Sequence, residues 1–528
     1  MELRLLGVLA FLALCSCGGG GGGGSMTSSP PAGGGNSNVW TQGVFKPSST
    51  FSAQCAAPRS GTDPATGKPY PDIQGTTLAE NNWLRSWTNE LYLWYNEVTD
   101  LDPSLYSTSD YFNKLKTIQN DAAGQPKDRF HFTYATSTWQ TLSSSDVQPG
   151  YGAQWVLVSK IPPRQLIVAY TIPNTPATTA NLTRGAQILT IDGVDLVNAS
   201  DRASVNTLNN GISPATVGES HTFTVQDPGS STTRVVTLTS QNVTENPVPT
   251  VTHFPTSMGT VGYIVFDDHQ ATAEAGLVNA VNTLKSAHIT DLILDMRYNG
   301  GGFLDIANEL AYMIAGPGPT AGQSFSTQQF NAKNPSTNPI TGRALTPEAF
   351  HTQAQGFSVP SGQALPTLDL SRVFVLTGPS TCSASEAVIN GLEGVNVQVI
   401  QIGTTTCGKP YGFYPQDNCG TTYFAIEFRG INAQGFGNYP DGFSPSNSNA
   451  TASGATLPGC QVADDFTHAL GDPAEARLAA ALNYTNNPMC PASSGMSGST
   501  SKHTQRPLSA TDGQLVRAPG REIAILRQ

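Results

Sequence analysis

The sequence predicts a multidomain α/β (α+β) protein, and three observations carry that prediction. From Val248 onward, short apolar runs alternate with stretches of helical period. From Gly150 to Ser240 the runs are strand-like, and from Leu78 to Ala122 the period is helical. Repeated strand–helix–strand order argues for a largely parallel core sheet. The 528 residues also exceed one ordinary domain.

Charged residues are 12% of the chain and hydrophobics 38%, with 53 Gly and 37 Pro. The charge is about half the usual share of about 25%, so this is a folded, loop-rich chain rather than a charged disordered one. The net charge is −11 and no long Lys/Arg run occurs. A nucleic-acid binder shows a basic footprint, so that class is disfavoured. No internal stretch reaches the roughly 18 apolar residues that a spanning helix needs.

The N-terminus reads as an address. Arg4 precedes an apolar run from Leu5 to Leu14, then Cys15-Ser16-Cys17-Gly18. This is similar to bacterial lipoprotein signals, with an ordinary cleaved signal as the alternative. The similarity implies lipidation at Cys17, favoured over Cys15 because Ser16 suits the residue before the cut. The chain is then lipid-anchored in the cell envelope, on the periplasmic or surface face of an outer membrane. More than one acyl chain makes such an anchor stable.

The chain divides into a signal (1–17), a Gly/Ser/Pro-rich linker (18–50), a helical domain (51–145), a β domain (146–245), an α/β domain (246–490) and a disordered tail (491–528). In the helical domain Trp83, Trp87, Leu91 and Trp94 fall on one helix face, and Tyr111, Phe112 and Leu115 on a second helix. Such stripes are core. In the β domain Asp192-Gly193 signals a hairpin. In the α/β domain strands are expected at 260–266, 289–296, 373–376 and 397–402, and helices at 273–287, 304–314 and 383–392.

Without Cys15 and Cys17, six cysteines remain. In an oxidising compartment they suggest disulfides, and nearness in sequence favours Cys407–Cys419 and Cys460–Cys490. No CxxC or HExxH occurs, so no metal or other cofactor is expected.

Three strand ends carry unusual residues. Asn299-Gly300-Gly301-Gly302 can turn backbone N–H groups toward negative charge. Gly378-Pro379-Ser380-Thr381-Cys382-Ser383-Ala384-Ser385-Glu386 puts hydroxyls at a helix start, where a serine is often only a cap and Glu386 suits the first turn. Gly403-Thr404-Thr405-Thr406-Cys407-Gly408-Lys409-Pro410 nearly matches a phosphate loop. It fails because Pro410 replaces the Mg²⁺-binding hydroxyl and no helix can follow. Together the motifs supply a Ser–Lys acyl-transfer site. The lysine must be neutral to act as a base; free lysine is only about 0.04% neutral at pH 7, and lowering its pKa to about 7.5 makes roughly a quarter neutral. The rival is a Ser–His–Asp site. No GxSxG occurs, and His269 alone among the histidines follows a core strand.

Gly150-Tyr151-Gly152-Ala153, with the later Arg184-Gly185-Ala186-Gln187-Ile188-Leu189-Thr190-Ile191-Asp192-Gly193, resembles a PDZ domain. That implies a peptide site at Tyr151, Gly152 and Ala153, where a terminal carboxylate is caught by backbone. The whole order, from Trp83 to Tyr484, resembles the C-terminal processing peptidases, or tail-specific proteases, of the ClpP/crotonase-like fold. The resemblance implies Ser383 as nucleophile, Lys409 as general base, and Gly301 with the N–H of Ala384 as oxyanion hole. It implies protein C-termini as substrates. Two departures stand out: Phe413 occupies the position of a lysine-orienting Gln, and Gly394, beside Glu393, that of an Asp. The competing class is a catalytically silent peptide- or lipid-binding scaffold of the same fold.

Overall fold

Thr76 opens the first helix, α1 (Thr77–Leu91), by accepting the N–H of Ala79, with Glu80 in the first turn. Trp83 and Trp87, one turn apart, stack with ring centroids 5.4 Å apart. The helix stops at Leu91, so Trp94 lies beyond it, against expectation. There the chain leaves the helix, and the N–H of Leu93 donates to the carbonyl of Ile426. Ser107 caps α2 (Thr108–Lys114), which buries Tyr111 and Phe112. The computed structural model describes residues 40–144, 147–448, 455–491 and 524–525. Cys17, the signal, most of the linker and nearly all of the tail lie outside the described residues.

The helical region is not a free-standing unit. Its Trp83, Trp87, Phe112 and Phe130 share one apolar cluster with Phe413 and Phe424. Phe132–Ala135 pairs with Thr421–Phe424, and a disulfide joins Cys55 to Cys419. Residues 40–50, read above as linker, are also held. Arg85 donates to the carbonyls of Thr41 and Val44 and covers the ring of Phe45, while Ser48 bonds Glu90.

The second block is a sheet of β1 (Ala153–Ser159), β2 (Gln165–Thr171), β3 (Gln187–Ile191), β4 (Val194–Asp195), β5 (Ser220–Gln226) and β6 (Thr233–Thr239), with helix α3 (Arg202–Ile212). The strand order is β6-β5-β3-β2-β1, with β4 paired to β3. Asp192 (φ 49°) and Gly193 (φ 77°) make the expected hairpin between Ile191 and Val194. The block is entered through Val147–Gly150 and left through Gln241–Thr244, which pair antiparallel.

The third region holds the largest core. Its sheet runs β7 (Thr250–Thr256), β8 (Gly259–Val265), β9 (Asp291–Asp295), β10 (Arg372–Thr377), β11 (Gln398–Gly403) and β12 (Gly459–Gln461), in that spatial order. Only the β7/β8 pair is antiparallel. Helices α4 (Ala273–Ser286), α5 (Leu304–Ala315) and α6 (Ala384–Gly394) share one apolar cluster with residues of these strands. Helix α7 (Ala476–Asn486) belongs to the other face's cluster with Phe374 and Ile402. The expected strands and helices all form, with ends shifted by one or two residues.

The disulfides correct one expectation. Cys460–Cys490 forms, but Cys407 bonds Cys382 and Cys419 bonds Cys55. Neighbouring parallel strands β10 and β11 lead to Cys382 and Cys407 side by side, whereas a hairpin turn carries Cys419 away toward the helical block. The tail reading also changes at one point: Ala524–Ile525 forms a short strand parallel to Gly302–Phe303.

Candidate active site

The site is built where β9, β10 and β11 end. After β10 the chain turns through Gly378–Cys382 into α6. Thr381 fixes that turn, its hydroxyl accepting from Gly378 N–H and donating to Met296 O. Ser383 then sits buried at φ 60°, a conformation costly for a residue with a side chain. Ser383 is the N-cap of α6 and forms a capping box with Glu386, yet its Oγ has no hydrogen-bond partner of close geometry among the described atoms. Ser383 and Lys409 line one cleft with Leu304, Tyr411, Phe428 and Tyr439.

Glu386 joins the two motifs. Its fully buried carboxylate accepts the N–H groups of Ser383 (3.0 Å), Gly408 (2.8 Å) and Lys409 (2.8 Å), and the Thr406 hydroxyl. Burial pushes this carboxyl up, and the four donors pull against it. The near-phosphate loop is therefore a backbone nest filled by the protein's own carboxylate. The Cys382–Cys407 disulfide links the same two loops.

Lys409 is buried, and its ammonium lies 4.8 Å from the ring centroid of Phe130 and 4.7 Å from that of Phe413. Phe413 thus meets the lysine as an aromatic face where an amide was the family pattern. Glu393, the acid nearest the second departure, is occupied by the N–H of Val399.

Gly301 has φ +106°, and a Cβ there would lie 2.8 Å from the Ser383 Cβ and 3.0 Å from the Ala384 nitrogen. Only glycine lets the turn approach this closely. Its N–H, however, donates to Asn299 Oδ1 at 2.9 Å, so it is already engaged. Asn299 also bonds His269 Nδ1 at 3.0 Å and the Phe266 carbonyl. Burial pushes His269 down to about 3, so it stays neutral. It braces the glycine turn through Asn299, and its own N–H donates to the Gly301 carbonyl.

Tyr151, Gly152 and Ala153 lie apart from these residues in chain and in fold, at the start of β1. Tyr151 is buried against Phe223. The carbonyls of Tyr151 and Gly152 take the N–H groups of Ala177 and Ile172, and Ala153 pairs with Thr171. Gly152 (φ +72°) is packed so tightly on Thr175 that no Cβ fits. The block is tied to the core sheet by Arg184, which bonds Asp464 and Tyr298, while Asp464 also takes Arg297.

Sequence reasoning missed Asn299, Phe130 and the bridging part of Glu386. Asn299 stood next to the glycines and could have been suspected. Phe130 reaches the lysine only through tertiary packing and gave no local signal.

The architecture is that of a mixed α/β protein and shares its fold with a solved structure. A Bacteroides fragilis protein assigned to the S41 proteases is 21% identical, with a TM-score of 0.54, over 80% of this chain and 98% of that one. The photosystem II D1 C-terminal processing protease aligns at 18% identity and a TM-score of 0.42, over 73% of this chain and 94% of its own. Residues 260–413 match the model of peptidase family S41, a span that contains Gly301, Ser383, Ala384 and Lys409. The carboxyl-terminal-processing protease of a Picosynechococcus strain is 28% identical over 171 residues, 32% of this chain. The match spans 39% of that relative's length.

Proposed function

We propose that this chain is a serine endopeptidase that hydrolyses proteins selected by their C-terminal tails, using Ser383 and Lys409. The observation that carries the reading is the buried, strained Ser383 at the start of α6, lining one cleft with a buried lysine. Neutral Lys409 accepts the Ser383 proton and the alkoxide attacks a peptide carbonyl. The N–H of Ala384, at the start of α6, faces the developing oxyanion together with the Gly301 turn. Protonated Lys409 then serves the leaving amine, and water hydrolyses the acyl-enzyme.

Substrate binds as an extended strand. The edge of Gly302–Phe303 accepts a strand, Ala524–Ile525, in this structure, which supports that mode. The block at 146–245 acts as a PDZ-like reader of the substrate's C-terminus, with Tyr151, Gly152 and Ala153 at its carboxylate loop. Its support is β1, an outer strand with one edge uncovered among the described residues. Cys17 anchors the enzyme in the cell envelope.

One observation favours the silent scaffold: Gly301 gives its N–H to Asn299, so the oxyanion hole is not open as drawn. In the peptidase reading a substrate oxyanion displaces or shares that bond. Acid-quenched mass spectrometry during turnover of an unfolded protein decides between them. An acyl adduct on Ser383 is expected, together with loss of hydrolysis in Ser383→Ala; no hydrolysis by the parent chain contradicts the peptidase reading.

A further inference from the structure

Cys382 directly precedes Ser383, and Cys407 lies two residues before Lys409. One disulfide joins them. We propose that this bridge is a thiol-exchange site through which a small thiol or a dithiol protein turns down the Ser383–Lys409 pair. The proposal rests on the peptidase reading of that pair.

The two loops leave adjacent parallel strands, β10 and β11, and must stay in register for serine and lysine to share one cleft. Three kinds of tie hold them. Cys407 N–H donates to the Thr381 carbonyl and Thr404 N–H to that of Thr377. Glu386 takes the N–H groups of Ser383, Gly408 and Lys409. The third tie is the disulfide, and it alone is covalent. Cys55–Cys419 fastens the helical block and Cys460–Cys490 fastens β12, so neither joins these loops.

The bridge is open to attack from one side. Cys382 is fully buried, but Cys407 is only half-buried. An incoming thiolate bonds the Cys407 sulfur, and the electron pair of the broken S–S bond leaves on Cys382. A second thiol attacks the reagent's sulfur in that mixed disulfide, freeing Cys407 and releasing the oxidised reagent. Two thiols thus supply two electrons, and the two freed cysteines take two protons.

Opening has two consequences for the pair. The sulfurs retreat from bonding distance to van der Waals contact, which spreads the loops that carry Ser383 and Lys409. The Cys407 sulfur also lies 3.4 Å from Glu386 Oε2, the oxygen that accepts both the Ser383 and the Lys409 N–H groups. A thiol there becomes a new donor competing for that oxygen. A misplacement of about 1 Å can cost about 100-fold in rate.

The test compares the oxidised chain with the chain treated with dithiothreitol. Mass spectrometry of alkylated peptides identifies which bridges have opened. Cleavage of an unfolded protein and amide hydrogen exchange at Ser383, Gly408 and Lys409 are followed together. With Cys382 and Cys407 free, kcat is expected to fall about 100-fold with KM nearly unchanged, and to recover on reoxidation. Exchange at the three amides rises. C382A/C407A is slow and indifferent to thiol; C460A/C490A remains thiol-sensitive. Free Cys382 and Cys407 with unchanged kcat and unchanged exchange overturns the proposal. Should C382A/C407A fail to fold, thiol treatment of a chain with Cys55, Cys419, Cys460 and Cys490 all replaced by Ala, which keeps Cys382–Cys407 alone of the three bridges, gives the same decision. If the oxidised chain is no more active than Ser383→Ala, the peptidase reading fails separately. The exchange measurement then still judges the clamp, and no rise overturns it.

Discussion

Ser383 and Lys409 are tied to each other through one oxygen: both backbone N–H groups donate to Oε2 of Glu386, at 3.0 and 2.8 Å. The nucleophile turn and the base turn are therefore positioned by a common carboxylate rather than separately.

Glu386→Gln tests that arrangement. An amide cannot accept on both of its ends, so its NH₂ must face backbone N–H donors. Hydrogen bonds to a charged group contribute about 1.5–3 kcal/mol each, and some of this is lost. The variant is expected to unfold at lower denaturant and to lose most of its kcat. Denaturant titration with parallel rate measurement checks it; wild-type values for both rule the bridging role out.

Gly301→Ala tests the close approach of the glycine turn to the serine. The new methyl meets the Ser383 Cβ at 2.8 Å and the Ala384 nitrogen at 3.0 Å, at φ +106°. It pushes on the reacting serine itself. Losing one oxyanion donor typically costs about 3–4 kcal/mol, or about 100–1,000-fold in kcat, and a loss of that size is expected here. The chain should still fold by circular dichroism but with a lowered Tm, because the methyl also meets the Cys382 carbonyl at 2.9 Å.

Phe130→Leu probes the rings around the lysine. Leucine keeps the surroundings apolar but removes an aromatic face that favours the charged ammonium by about 0.5–1 kcal/mol. Losing that preference favours the neutral base, so the acid limb of the kcat/KM–pH profile should move about half a unit to lower pH. An unmoved limb with reduced activity would mean that Phe130 acts only as core.

Glu309 gives a pH prediction away from the site. It is fully buried beside Glu274, and burial holds its carboxyl up at about 8. In the unfolded chain it ionises near its ordinary value of about 4.3. Between those values the folded state holds the extra proton, so this group makes stability fall as pH rises from about 4.3 toward 8. Glu309→Gln removes that slope. Its Tm should drop less than the wild-type Tm between pH 5 and pH 8 in scanning calorimetry, and equal drops would contradict the assignment.

What the sequence made legible follows from the range of the forces involved. The strands and helices of the core sheet were readable because their apolar period is local, as in Ile293–Leu294 and Leu304–Ala315. The motifs around Gly301, Ser383 and Lys409 were readable because turns need particular residues next to one another. Contacts between distant segments were not. Phe130 over Lys409, Cys55 with Cys419, and the bonding of residues 40–50 to α1 depend on contacts between segments far apart in the chain. Nearness in sequence misled at Cys407 because a parallel sheet brings together strand ends that are far apart in the chain.

The most direct measurement is cleavage of an unfolded protein with an apolar C-terminus by the soluble form lacking residues 1–25, beside Ser383→Ala and Lys409→Ala. The Ser–Lys account predicts cleavage by the parent and its loss in both variants, each still folded. Cleavage that survives either substitution, or a parent inactive from pH 6 to 10 on several unrelated substrates, would contradict it.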